Sequence, residues 1–138
     1  MEVLRIKLGF VGKLVVNAVG RGGGLCLFWT NRVDILFLSF SKVHIDVQVK
    51  SHVLEIWRLT GFYGNPEAEQ CCHGWTLLLC LQGMPQLPWL CVGDFNEILQ
   101  DGKKMGGVLR NRRLMEDFRE TLNWCELSDI GFKGPTFT

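Results

Sequence analysis

A mixed α+β domain, with a sheet covered by helices, is the architecture the sequence predicts. Residues up to Gly61 break into short apolar runs joined by brief turns, while two later segments repeat their apolar residues at helical spacing. A hydrophobic content of 47% with 21% charged residues over 138 positions is that of one globular domain.

Strands are expected over Leu4 to Phe10, Leu14 to Val19, Leu25 to Trp29, Val33 to Phe40, His44 to Val49 and Glu55 to Thr60. Ile45, Val47 and Val49 alternate with His44, Asp46 and Gln48, which predicts one buried and one wetter face. Val33 to Leu38 is apolar at nearly every position, the pattern of a strand covered on both sides. The cluster Gly20-Arg21-Gly22-Gly23-Gly24 lacks the Gly-Lys-Ser/Thr ending of a phosphate-cradling loop and reads as a tight turn.

Beyond Tyr63 the period changes. Asn65 suits a helix cap, Pro66 the first helical position, and Glu67 and Glu69 the positive end of the dipole. With Trp75, Leu78, Leu79 and Gln82 following at helical spacing, a helix is expected from Pro66 to Gln82, and Gly83 stops it. Pro88 to Val92 reads as a buried strand. A second helix, Arg112 to Cys125, lines Leu114, Met115, Phe118, Leu122 and Cys125 along one stripe, with Glu116, Asp117, Arg119 and Glu120 toward water. Gly134 to Thr138 reads as the start of a further strand, and no linker or repeat divides the chain, so residues 1–138 are assigned to a single, partial domain.

A formal charge of +1 excludes a global field that would announce nucleic acid or membrane. The longest apolar runs, Leu25 to Trp29 and Leu77 to Leu81, fall far short of the roughly 18 residues of a membrane span. Glu2, Arg5 and Lys7 interrupt any secretory signal, so an intracellular protein with no membrane association is expected, and no protein partner is evident. Most of the six cysteines sit inside apolar runs, as reduced buried thiols do. Cys71, Cys72, His73 and Cys80 lack the spacing of a zinc site.

The chemistry concentrates in Gly93-Asp94-Phe95-Asn96, at the end of the run Pro88-Trp89-Leu90-Cys91-Val92. In extended chain residues i and i+2 share a side, so Asp94 and Asn96 can reach one ligand while Phe95 turns to the core. A carboxylate beside an amide suits a hydrated metal or a phosphate. The competing structural reading is that Asp94 and Asn96 cap the turn that follows, and that Tyr63 is a half-buried sheet residue with its hydroxyl at the edge.

Several segments together resemble the endonuclease/exonuclease/phosphatase family, the DNase I-like fold, and most of all the endonuclease domain of plant non-LTR (LINE-type) retrotransposons. The likeness runs through Gly22 to Trp29, Ser41 to Asp46, Trp57-Arg58-Leu59-Thr60-Gly61-Phe62-Tyr63-Gly64-Asn65-Pro66-Glu67 and Pro88 to Leu99. It continues through Gly106-Gly107 and Arg110 to Leu127-Ser128-Asp129-Ile130-Gly131-Phe132. The resemblance implies a four-layer α/β-sandwich, two packed sheets flanked by helices, that cleaves phosphodiester bonds in DNA with a divalent metal, usually Mg2+. It implies that Asp94 helps activate the attacking water and holds the metal, that Asn96 holds the scissile phosphate, and that Tyr63 contacts it. A nuclear location follows for a retrotransposon enzyme.

The family's metal-binding glutamate falls upstream of the segment matching Met1, and its Ser-Asp-His ending downstream of the segment matching Thr138. The resemblance therefore implies a fragment, incomplete at both ends, whose half-site binds metal weakly and whose nicking is impaired. None of His44, His52 and His73 stands where the catalytic histidine belongs; His44 reads as a hydrogen-bonded sheet residue on the wetter face. Lys103, Lys104, Arg110, Arg112 and Arg113 form the one basic concentration, either a solvated loop or a phosphate contact, with Arg110, Arg112 and Arg113 the candidate substrate-binding residues. Two further readings stand beside the endonuclease: a noncatalytic remnant binding nucleic acid weakly through this loop, and a phosphatase of the same fold acting on lipid or sugar phosphates.

Overall fold

The computed structural model describes residues 1–18, 24–53, 55–64, 71–83, 86–96 and 112–131. In chain order the elements are α1 (Glu2–Lys7), β1 (Gly12–Val16), β2 (Leu25–Trp29), β3 (Val33–Ser41), β4 (His44–Ser51), β5 (Ile56–Tyr63), α2 (Cys71–Gln82), β6 (Trp89–Asp94) and α3 (Arg112–Trp124). β1 and β2 form an antiparallel pair, and the larger sheet has the order β3-β4-β5-β6. Its first two pairings are antiparallel, whereas β5 and β6, joined through α2, run parallel. The class is mixed α+β with two sheets.

The first expected strand is instead a helix. Glu2 accepts two hydrogen bonds from Arg5, at 3.0 Å from Nε and 2.6 Å from Nη2, across a spacing of three that makes the two neighbours on a helical turn. Arg5 Nη1 also donates to the carbonyls of Phe10 and Val11, folding α1 back onto the start of β1. Lys13 joins the same carboxylate, and these contacts draw the Glu2 carboxyl down to about 2.

The burial of β3 and β4 reverses the expectation. β4 occupies the interior of the sheet, and both of its faces are covered. Ile45, Val47 and Val49 pack under Leu14 and Val16 of β1 and Leu25 and Leu27 of β2. The opposite face, expected to be wetter, carries His44 at 5% and Asp46 at 0% exposure. β3, expected to be covered on both sides, lies at the edge of the described sheet and leaves Leu36, Phe37 and Phe40 exposed. A bulge between Phe37 and Ser39 interrupts its pairing, a feature that discourages strand addition at a sheet edge.

The helices pack on the face opposite β1 and β2. Phe62 of β5, Leu78 of α2 and Cys125 at the end of α3 form a second core, joined by Leu77, Trp89, Cys91 and Phe95. The expected stripe of α3 is inward, with Met115, Phe118 and Cys125 buried and Leu114 and Leu122 half-buried. α3 ends on Glu126 at φ 55, where Glu126 N–H donates to Asn123 and Leu127 N–H to Leu122, satisfying two terminal carbonyls. The first part of the expected helix from Pro66, the strand from Gly134 and the glycine turn at 20–23 lie outside the described residues. No described helix is long and apolar enough to cross a membrane.

Of the cysteines expected in the interior, Cys125 is buried and Cys91 half-buried, but Cys26 and Cys80 are exposed. Cys26 lies on β2 between Leu25 and Leu27, which pack on the core, and so points to the opposite, outer face. The side chains of Cys71, Cys72 and His73 lie outside the described ones.

Candidate functional site

Because β5 and β6 are parallel neighbours, their carboxyl ends finish together, with Tyr63 opposite Asp94. Loops leaving the carboxyl ends of parallel strands are a recurrent place for binding sites in α/β sheets. The two backbones meet closely here. Gly93 takes φ 152, and a Cβ on it would fall 1.8 Å from the Phe62 carbonyl oxygen; one on Gly64 would fall 1.9 Å from that of Phe95. Glycine at both positions lets the strands approach this far.

Phe95 turns inward as expected, its ring 5.1 Å from that of Phe62 and 5.9 Å from that of Phe118. This anchors the turn on the second core. Asp94 and Asn96 come together by a different route from the strand pleat. β6 ends at Asp94, and Asn96 enters the left-handed region at φ 53. Its N–H then donates to Asp94 Oδ1 at 3.0 Å, while its Nδ2 donates to the Gly64 carbonyl at 2.8 Å. Gly64 N–H in turn donates to the Asp94 carbonyl at 2.7 Å. The result is a knot of main-chain and side-chain bonds with an exposed Asp94 carboxylate at its surface and Tyr63 half-buried beside it.

Asp94 is the described carboxylate of this corner, and among the described residues no group of three His, Cys, Asp or Glu side chains is placed to share a metal ion. Magnesium commonly takes one or two carboxylates and keeps several waters. The donor set therefore fits a hydrated ion held through one ligand, an arrangement with low affinity. Of the three candidate arginines, Arg110 lies outside the described residues, as does the side chain of Arg112. Arg113 is exposed on the first turn of α3.

A larger polar network, not foreseen from the sequence, fills the helix-covered face of the sheet. Arg58 Nε and Nη2 donate to the two oxygens of Asp46, each at 2.9 Å, and Nη1 donates to the Leu81 carbonyl at 2.7 Å. Thr60 donates to Asp46 at 2.6 Å and accepts from the Trp89 indole at 2.8 Å, and the Arg58 guanidinium lies 4.6 Å from the centre of the Trp89 ring. The signal for it in the sequence is parity: Asp46 pairs with Thr60 and Gln48 with Arg58, so Asp46, Arg58 and Thr60 share a face across β4 and β5.

Along the same face, His44 sits between two hydroxyls, Ser39 Oγ at 3.0 Å from Nε2 and Ser41 Oγ at 2.7 Å from Nδ1. Neutral imidazole satisfies both, donating through one nitrogen and accepting through the other. Burial pushes the His44 pKa below its usual value, with Asp46 opposing and Arg58 reinforcing the shift. Burial also pushes the Cys91 thiol up to about 12, helped by the Asp46 carboxylate and Cys125 and opposed by Arg58.

Compared with known proteins, the chain matches no family model and no curated protein.

Proposed function

We propose that the corner formed by Tyr63, Asp94 and Asn96 is the phosphodiester half-site of a metal-dependent DNA-nicking domain of the DNase I-like kind, with no more than trace activity in this chain. The observation that carries the reading is the register of β5 and β6, which ends both strands together and sets the exposed Asp94 beside Tyr63. Phosphodiester cleavage builds charge on the phosphoryl oxygens, and a divalent ion with neutral donors offsets it. Asp94 would hold the ion, and Asn96 and Tyr63 would contact the phosphate. Among the described residues the corner offers one carboxylate, a weak ligand set, and trace activity is the expectation.

A second reading is favoured by the hydrogen bonds of Asn96: its N–H and its amide both close the turn after β6. On this reading Asp94 and Asn96 are structural.

Supercoiled plasmid in magnesium separates the two. The 138-residue chain is expected to leave traces of nicked circles. A chain extended at both ends to carry the glutamate and Ser-Asp-His segments of the resembled family is expected to nick fully, and to lose that activity on Asp94→Ala. Nicking that survives Asp94→Ala would overturn the role given to this carboxylate.

A further inference from the structure

We propose that a second cleft, at the amino ends of β5 and β6, binds an organic cation bearing N–H donors, independently of the Tyr63, Asp94 and Asn96 corner. The cleft encloses about 640 Å³, within the usual size of small-ligand sites, and its walls include Arg58, Gln82, Gln86, Trp89, Cys125 and Glu126. It opens where Arg58 pairs with Trp89, five positions along the strands from the pairing of Tyr63 with Asp94. At about 3.3 Å per residue the two places lie roughly 16 Å apart, at opposite ends of the same strand pair.

Charge decides the ligand class. Arg58 forms the floor, but it is 1% exposed and its guanidinium is matched by both oxygens of Asp46 and by the Leu81 carbonyl. It offers an anion a charge that is already neutralised. The exposed polar side chains on the walls are the amides of Gln82 and Gln86, which can donate or accept, and the carboxylate of Glu126, which only accepts. Among the described lining residues Glu126 carries the one charge with no ion-pair partner.

Glu126 is also held in place. Its main chain stands in the left-handed region at φ 55, fixed by the two closing hydrogen bonds of α3. A carboxylate on a fixed stretch of main chain, in a cleft also lined by two amides, matches an ammonium or guanidinium group, whose N–H donors it can accept in charge-assisted bonds. A phosphate would meet Glu126 with Arg58, already matched by Asp46, as the cation among the described lining residues.

The Trp89 indole N–H, bonded to Thr60 beneath the cleft, provides the reporter. Its proton resonance, assigned by its disappearance in Trp89→Phe, is followed while spermidine, argininamide, choline or phosphate is added. Saturable shifts are expected with spermidine or argininamide, and whichever saturates at the lower concentration distinguishes a polyamine from a peptide guanidinium as the source. Choline, which has no N–H donor, and phosphate are expected to leave the resonance in place. Glu126→Gln, on the protein surface, should weaken binding about tenfold, the loss of one charge-assisted bond. No saturable shift with either cation, equal binding of choline or phosphate, or an unchanged affinity in Glu126→Gln would each overturn the proposal.

Discussion

Arg58 and Asp46 meet diagonally across β5 and β4 in a fully buried two-bond ion pair, both hydrogen bonds at 2.9 Å. The pair also ties the sheet to α2 through the Leu81 carbonyl. Removing one member of such a pair strands the other charge in the interior, whereas replacing both with apolar residues of similar volume is often neutral. Asp46→Ala should therefore destabilise the fold by about 3 to 5 kcal/mol in urea unfolding, and Asp46→Leu combined with Arg58→Met should recover most of the loss. A double variant no more stable than Asp46→Ala would contradict this account of the network.

The shift of His44 sets a pH dependence whose sign is fixed. Its folded pKa lies below the ordinary value of 6.5, so the unfolded chain takes up the proton first as pH falls. The stability it confers is present above that value and is lost as pH drops through it toward the folded pKa. Unfolding midpoints in urea should fall between about pH 7.5 and about pH 5.5, and His44→Gln should flatten the slope over that interval. A midpoint that rises on acidification in this range would refute it.

Much of the architecture was legible in the chain because it rests on local periodicity. The runs of β2 to β6 and the stripe of α3 from Leu114 to Cys125 appear where the alternation and the helical spacing put them. What the pattern does not encode is which strand lies inside. His44 and Asp46 are polar, so their face reads as wet; yet their partners Ser39, Ser41, Arg58 and Thr60 come from neighbouring strands and make burial tolerable. The same nonlocality put the apolar β3 at one edge of the described sheet and β6, expected to be buried, at the other, with Leu90 and Val92 exposed. At the amino terminus, apolar residues suggested a strand, but the Glu2–Arg5 pair favoured one helical turn. In the candidate site, the gathering of Tyr63 and Asp94 follows from the parallel pairing of β5 and β6. The left-handed turn at Asn96 left no mark in the spacing.

That close pairing makes Gly93 sensitive. A methyl group there would overlap the Phe62 carbonyl oxygen, main-chain atoms that cannot swing aside. Gly93→Ala is expected to destabilise by on the order of 3 kcal/mol in urea unfolding. A loss no larger than that of an exposed surface substitution would mean that the two strand ends are not held so tightly.

The cysteines should separate by reactivity. A thiol near 12 is ionised to roughly one part in ten thousand at about pH 8, so Cys91 should resist alkylation, and buried Cys125 likewise, while exposed Cys26 and Cys80 react quickly. Peptide mapping after brief iodoacetamide treatment checks this. Labelling of Cys91 at the rate of Cys26 would show that the second core opens readily.

The most direct measurement is paramagnetic broadening by manganese, standing in for magnesium, read on backbone amides. Gly64 N–H bonds the Asp94 carbonyl and Asn96 N–H bonds its carboxylate, so both report on an ion held there. Selective broadening of the Gly64 and Asn96 amides at low manganese, abolished by Asp94→Asn, is the result predicted for a metal-dependent phosphodiester site. Amides that broaden elsewhere, or the same broadening in Asp94→Asn, would contradict it.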